Sequence, residues 1–250
     1  MSSSSTRPSP VLEHALNLPI FKFLKDKRVV LASSSPRRKE LLDLSGLKPE
    51  IIPSEFPENL PKSMFAHALA EYPIATAGEK ALEVYERLVK ADDRDAPDLV
   101  IGADTVIIFP PQSKDPDSRT ALEPVEESKV FEKPFDKDDH LRMLQDLNGK
   151  TCEIVTGVTI VYPTLGAPGY KLQSISVSTI AHFRENTDAE LKAYVEHGEG
   201  IDRAGGFAIQ GAGGFLVKSV EGDWNNVVGF PVWEFWHWLG DLLEDDVFNE

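Results

Sequence analysis

Asp104 and Thr105 interrupt an otherwise apolar run, Leu99-Val100-Ile101-Gly102-Ala103-Asp104-Thr105-Val106-Ile107-Ile108. A carboxylate inside a buried strand costs several kcal/mol unless it is paired, hydrogen-bonded or bound to metal. Asp104 is therefore a candidate general base or metal ligand; a local hydrogen bond at a strand bend is the plainer alternative. A second cluster lies in Val29-Val30-Leu31-Ala32-Ser33-Ser34-Ser35-Pro36-Arg37-Arg38-Lys39-Glu40-Leu41-Leu42. A short apolar strand turns there through serines into a helix opened by proline, with Leu41, Leu42 and Leu44 as its apolar stripe. Such a turn aims free backbone N–H groups at whatever sits above it, which suits phosphate. Arg37, Arg38 and Lys39 oppose the helix dipole in the first turn unless an anion is bound there. A solvated basic patch at a helix start would use the same residues. Lys80 and Lys133 add cations, and a third cluster, Gly200 to Gly214, carries Arg203 and Gln210 among six glycines. Glycines there permit positive φ and close backbone approach to a ligand.

Cations with a strand carboxylate are what hydrolysis of a phosphoanhydride requires. The cations offset phosphate charge, while the carboxylate activates water or binds a divalent metal such as Mg2+ or Mn2+. Other chemistries lack their signatures. There is no Gly-x-x-x-x-Gly-Lys-Ser/Thr, no kinase set, no dinucleotide fingerprint and no Gly-x-Ser-x-Gly elbow. The six histidines are scattered without metal-ligand spacing. A net charge of −15 opposes binding of a nucleic-acid polymer, though it leaves room for a local cationic pocket. The single cysteine, Cys152, permits no intrachain disulfide and lies in a strand-like run, so a packing role in a reducing, cytoplasmic compartment is expected. No run approaches the roughly 18 apolar residues of a membrane span, and the serine-rich N-terminus has no secretory core. Its Arg7 and the lack of acids before Glu13 allow a weaker organelle-targeting reading.

The elements that must position these residues alternate as in an α/β protein. Residues 1–26 read as a tail and lead-in, and 27–245 as one domain with a surface insertion at 110–128. Strands are expected at Val29–Ala32, Leu47–Pro53, Leu99–Phe109, Thr151–Tyr162, Leu172–Phe183 and Phe215–Val220, with a turn and short strand over Asp223–Val228. Helices are expected over Ile74–Val89, Asp136–Leu147 (capped by Asp136), Asp188–His197 and from Pro231 onwards.

The same places resemble the motifs of the Maf proteins, which are nucleoside triphosphate pyrophosphatases. Leu31 to Leu42 is similar to their N-terminal signature, Gly102-Ala103-Asp104-Thr105-Val106 to the second motif, and Asp202-Arg203-Ala204-Gly205-Gly206-Phe207-Ala208-Ile209-Gln210-Gly211 to the Gly-rich one. Glu79-Lys80-Ala81, Lys133-Pro134 and Asn226-Val227-Val228-Gly229-Phe230-Pro231 also match, so the resemblance covers roughly residues 28–240. It implies a mixed, elongated, twisted sheet flanked by helices with a cleft between two lobes, as in inosine triphosphate pyrophosphatase-like folds, and a homodimer. It implies Asp104 as base, Ser33, Ser35, Arg37, Arg38, Lys80, Lys133 and Arg203 against the substrate's phosphates, and a metal at Asp104 and an acidic partner. That partner is Glu58, with Glu55 as its rival. Arg37, Thr105 and Gln210 resemble the subgroup acting on dTTP and UTP; the subgroup acting on 7-methyl-GTP has tryptophan, glutamine and glutamate there. Arg203 stands where lysine is usual. A catalytically silent nucleotide-binding regulator, or a phosphatase releasing orthophosphate, would keep parts of the same pocket.

Overall fold

The structure is a computed structural model of the 250-residue chain, and it describes residues 7–92, 95–109 and 128–249. All but the last residue of the expected 110–128 insertion lies outside them. The elements run α1 (Pro19–Leu24), β1 (Val29–Leu31), α2 (Pro36–Leu44), β2 (Glu50–Ile51), α3 (Glu71–Ala91), β3 (Leu99–Phe109), β4 (Lys129–Phe131), α4 (Lys137–Leu147), β5 (Thr151–Pro163), β6 (Tyr170–Phe183), α5 (Asp188–His197), β7 (Val217–Glu221), α6 (Trp224–Val228) and α7 (Val232–Glu244). The described strands form one mixed, open sheet in the order β2-β1-β3-β5-β6-β7, with β4 beside β3. β1 is parallel to β2 and β3, with Val30 opposite Val100. β4 is antiparallel to β3, and β7 to β6. β3 is buried along almost its whole length, as its run of apolar residues without alternation requires.

The described residues divide into two compact units, each assembled from separate stretches of chain. The first contains the residues up to Asp104, 156–177 and 229–249; the second contains 105–109, 128–155 and 178–228. In the first, Val29, Leu31, Leu99, Ile101, Val158 and Ile160 form a core with Phe230, Phe235 and Leu239. Another cluster in the same unit joins Val30 and Val100 to Ala81, Val84 and Tyr85 of α3. In the second, Leu144 and Leu147 of α4 and Leu191 and Val195 of α5 pack with Ile107, Ile154 and Phe183.

Three local structures differ from the sequence reading. Residues 10–15, within the expected tail, are paired: Lys48 N–H donates to the Pro10 carbonyl at 2.7 Å and Leu12 N–H to that of Gly46 at 2.9 Å. Two such bonds need no periodic pattern, so nothing in the sequence advertises them. Leu44, expected in the apolar stripe of α2, is 70% exposed, while Leu42 is fully buried. Asp223–Val228 forms a helical turn instead of a strand. The Asp223 carboxylate accepts from Asn225 N–H at 2.8 Å and opens the turn. Buried Asn226 then ties it to the Ile154 carbonyl at 3.1 Å, overriding the strand preference of Val227 and Val228.

Candidate active site

Helix α3 is the element that brings charge to the first unit's core. Pro73, Ala77, Ala81 and Val84 repeat at helical spacing on its buried face, and Lys80 lies on that same face, only 6% exposed. Two glycines let the helix approach the sheet. A Cβ on Gly102 of β3 would stand 2.2 Å from the Ala77 carbonyl oxygen, and one on Gly157 of β5 would stand 2.4 Å from the Ile74 nitrogen. At that separation Lys80 Nζ donates to Asp104 Oδ1 at 2.8 Å.

The ammonium also meets Glu58 Oε2 at 3.0 Å, so one buried cation joins two carboxylates. Glu58 takes a left-handed backbone, φ 50°, uncommon for a residue with a side chain. Glu55 is engaged differently. Its backbone N–H donates to Glu83 Oε2 at 3.0 Å, and Ser54 Oγ donates to the same oxygen at 2.9 Å. Of the two rival acids, the structure thus joins Glu58 to Lys80. Burial pushes Asp104 above the ordinary carboxylate range against the opposing charges of Lys80 and Arg38, and the charge of Glu58 adds to the rise.

The Ser-Arg turn faces the same group. Ser35 occupies the N-cap of α2 with extended backbone and Pro36 at the first helical position. Buried Ser33 accepts Ser35 N–H at 3.2 Å and Arg38 Nη1 at 3.2 Å through its hydroxyl. Arg38 Nε donates to the Gly229 carbonyl at 3.0 Å. Burial lowers the Arg38 pKa, while the negative charges of Asp104 and Glu58 pull it back up. Arg37 is half-buried on the adjoining turn. Ser33, Arg38, Lys80, Glu58 and Asp104 are therefore one electrostatically linked cluster with two cations and two anions.

The remaining expected residues belong to the second unit. Thr105 follows Asp104 along β3. Lys133 Nζ pairs with Asp202 Oδ1 at 2.8 Å, and Arg203 Nη1 donates to the Asp202 carbonyl at 3.1 Å. Asp202 thus gathers both cations, a role that sequence reasoning missed, although it is the first residue of the motif quoted for Arg203. Gln210 is exposed, between buried Ile209 and exposed Gly211. Gly205 and Gly206 take the positive φ expected of this segment, 66° and 75°, and both lie against the protein's own side chains. A Cβ on Gly206 would meet His140 Cδ2 at 2.5 Å, and one on Gly205 would meet Ile107 Cδ1 at 2.2 Å. Burial pushes the Cys152 thiol up to about 12, in keeping with the packing role expected of it.

Among the described residues no helix is long and apolar enough to cross a membrane. Comparison with known proteins agrees with the motifs. A human protein named probable bifunctional dTTP/UTP pyrophosphatase/methyltransferase protein is 42% identical over 221 residues, spanning 87% of this chain and 32% of its own length. The dTTP/UTP pyrophosphatase of Schizosaccharomyces pombe is 39% identical over 243 residues, 95% of this chain and 92% of that protein. The dTTP/UTP pyrophosphatase of Ruminiclostridium cellulolyticum is 32% identical over 219 residues, 87% and 95% of the two chains. The chain spans about a third of the human relative and nearly all of the yeast and bacterial ones. The family model described as Maf-like protein matches residues 28–242, and with these relatives it makes the chain a member of the Maf-like protein family.

Proposed function

We propose that this protein hydrolyses the α–β phosphoanhydride of nucleoside triphosphates, dTTP and UTP among them, to the monophosphate and pyrophosphate. The observation that carries the reading is the buried Asp104 carboxylate held at 2.8 Å from Lys80, with Glu58 and Arg38 in the same cluster. The Lys80 ammonium fixes the position of this carboxylate. In the reaction Asp104 takes a proton from water as its oxygen bonds to the α-phosphorus; the bond from that phosphorus to the bridging oxygen breaks, and pyrophosphate leaves with that oxygen. Arg38, Lys80, Lys133 and Arg203 offset the charge of the phosphates, and the first turn of α2, opened by Ser35 and Pro36, faces phosphate oxygens.

The donor set also suits a divalent cation of the magnesium class, which is commonly held by one or two carboxylates plus phosphate oxygens and water. Asp104 and Glu58, both paired with the Lys80 ammonium, are the carboxylates that would hold it. When bound, such an ion neutralises charge building up on the leaving pyrophosphate. A homodimer and a cytoplasmic location belong to the same reading, supported by the family resemblance and by a single cysteine that can form no intrachain disulfide. The relatives bear the name of an enzyme, which leaves a catalytically silent regulator without support.

Arg37, Thr105 and Gln210 select the base in this reading, since a neutral amide can both donate to and accept from the imide edge of uracil or thymine. The purified protein incubated with UTP or dTTP and Mg2+ is expected to release pyrophosphate. Orthophosphate as first product, or no product, would overturn the assignment. Gln210→Glu places two acceptors against the base carbonyl and should lower pyrimidine-over-purine selectivity by roughly tenfold to a hundredfold. Equal losses in kcat/KM for UTP, dTTP, GTP and 7-methyl-GTP would show that Gln210 does not read the base.

A further inference from the structure

We infer that Tyr194 and Glu199, neither of them a member of the proposed catalytic cluster, are positioning residues that fix the loop bearing Gln210. The inference rests on the reading of Gln210 as the base-selecting residue. Tyr194 is buried near the end of α5, and its hydroxyl accepts the backbone N–H of Ala208 at 3.0 Å. The same hydroxyl donates to Glu199 Oε2 at 3.1 Å. The Glu199 carboxylate then accepts Gly213 N–H at 3.0 Å and Ala212 N–H at 3.3 Å. Gln210 lies midway between the anchored amides of Ala208 and Ala212, so the backbone is held on both sides of it while its side chain stays exposed.

Glycine placement follows from the same contacts. A Cβ on Gly211 would fall 1.9 Å from Glu199 Oε1, and one on Gly213 would fall 2.7 Å from the Tyr194 hydroxyl. These two glycines are needed because the loop lies directly on the two side chains. Loss of either clamp leaves a backbone N–H without its acceptor and lets Gln210 shift. A placement error of about 1 Å is enough to weaken recognition severely.

The test compares Tyr194→Phe, Glu199→Gln and Gln210→Glu with the parent, reading the ratio of kcat/KM for UTP over GTP. The ratio cancels any change in the folded fraction, so a purely structural defect does not move it. Tyr194→Phe and Glu199→Gln are expected to lower it at least threefold. Adding Tyr194→Phe to Gln210→Glu is expected to lower it no further, since both act on one contact. If Gln210→Glu moves the ratio and neither clamp variant does, the clamp is overturned. If the clamp variants move it and Gln210→Glu does not, the loop is positioned for a different base-reading group and the role of Gln210 is overturned instead. Should the variants fail to fold, hydrogen exchange of the parent decides. The amides of Ala208, Ala212 and Gly213 are expected to be protected, and exchange at the rate of an unstructured peptide would overturn the clamp.

Discussion

An ammonium group shared by two carboxylates makes clear predictions at the scale of single residues. Asp104→Asn keeps the volume and a hydrogen-bond acceptor for Lys80 but cannot take up a proton. Turnover is expected to fall by about 10²–10⁴ with little change in melting temperature, and a variant within tenfold of the parent would remove Asp104 as base. Replacing Arg38 or Lys80 by Ala should weaken binding of every nucleoside triphosphate alike, as titration calorimetry with UTP and GTP would report. Cys152 makes a prediction of the opposite kind. Its buried thiol, pushed up to about 12, is expected to resist alkylation at pH 8 in the folded protein and to react once the chain is unfolded. Asp104 was legible because a charge in an apolar strand is conspicuous. Lys80 was legible in principle as well, since it shares a helical face with Ala77 and Ala81. The pairing of Glu58 with Lys80 was not legible, although the resemblance ranks Glu58 ahead of Glu55 as the acid beside Asp104. It depends on a left-handed residue in an irregular loop, and no local pattern announces where such a loop turns.

At the scale of elements, the separation of α3 from β3 sets the length of the Lys80–Asp104 bond. Gly102→Ala would drive a methyl group into the Ala77 carbonyl, so the helix must retreat. Overpacking of this kind costs about 1–3 kcal/mol, and the Lys80 bond should lengthen with it. Denaturant unfolding and kcat measured together would check this, and a variant unchanged in both would show that the helix has slack. Helix α4 carries a pH dependence through His140. Its Nε2 donates to the Gly206 carbonyl at 2.6 Å, its Nδ1 is buried without a partner among the described residues, and Asp139 and Tyr194 lie nearby. Burial holds this imidazole below its ordinary value, so the folded protein keeps it neutral. As pH falls below about 6.5 the unfolded chain takes up a proton that the folded one refuses. Stability then drops by up to about 1.4 kcal/mol per pH unit until the folded value is reached. His140→Gln should flatten that part of the stability–pH curve, and an unchanged curve would assign the slope to other groups. Strong periodic elements such as α3, β3 and α5 were readable from sequence because burial of one face, or of both, dictates residue type. α6 was not, because a side chain buried in a tertiary contact, Asn226, decides its conformation.

At the scale of the whole molecule, the net charge of −15 surrounds a cluster in which two cations balance two anions. The surplus acid therefore lies outside that cluster. The order of the pieces along the chain has a temporal consequence. The first unit's core needs Phe230, Phe235 and Leu239, and Arg38 donates to the carbonyl of Gly229. During synthesis, a ribosome that has made the serine turn, α3 and β3 must still complete roughly half the chain before these partners emerge. At the usual rate of about 5–20 residues per second, the early segments wait on the order of ten seconds with an apolar strand uncovered. A nascent chain arrested after residue 228 should be readily digested by protease and hydrolyse no UTP, whereas one released after residue 249 should be resistant and active. Helix α7 thus completes a core whose other members, Leu31 and Leu42 among them, were made roughly two hundred residues earlier.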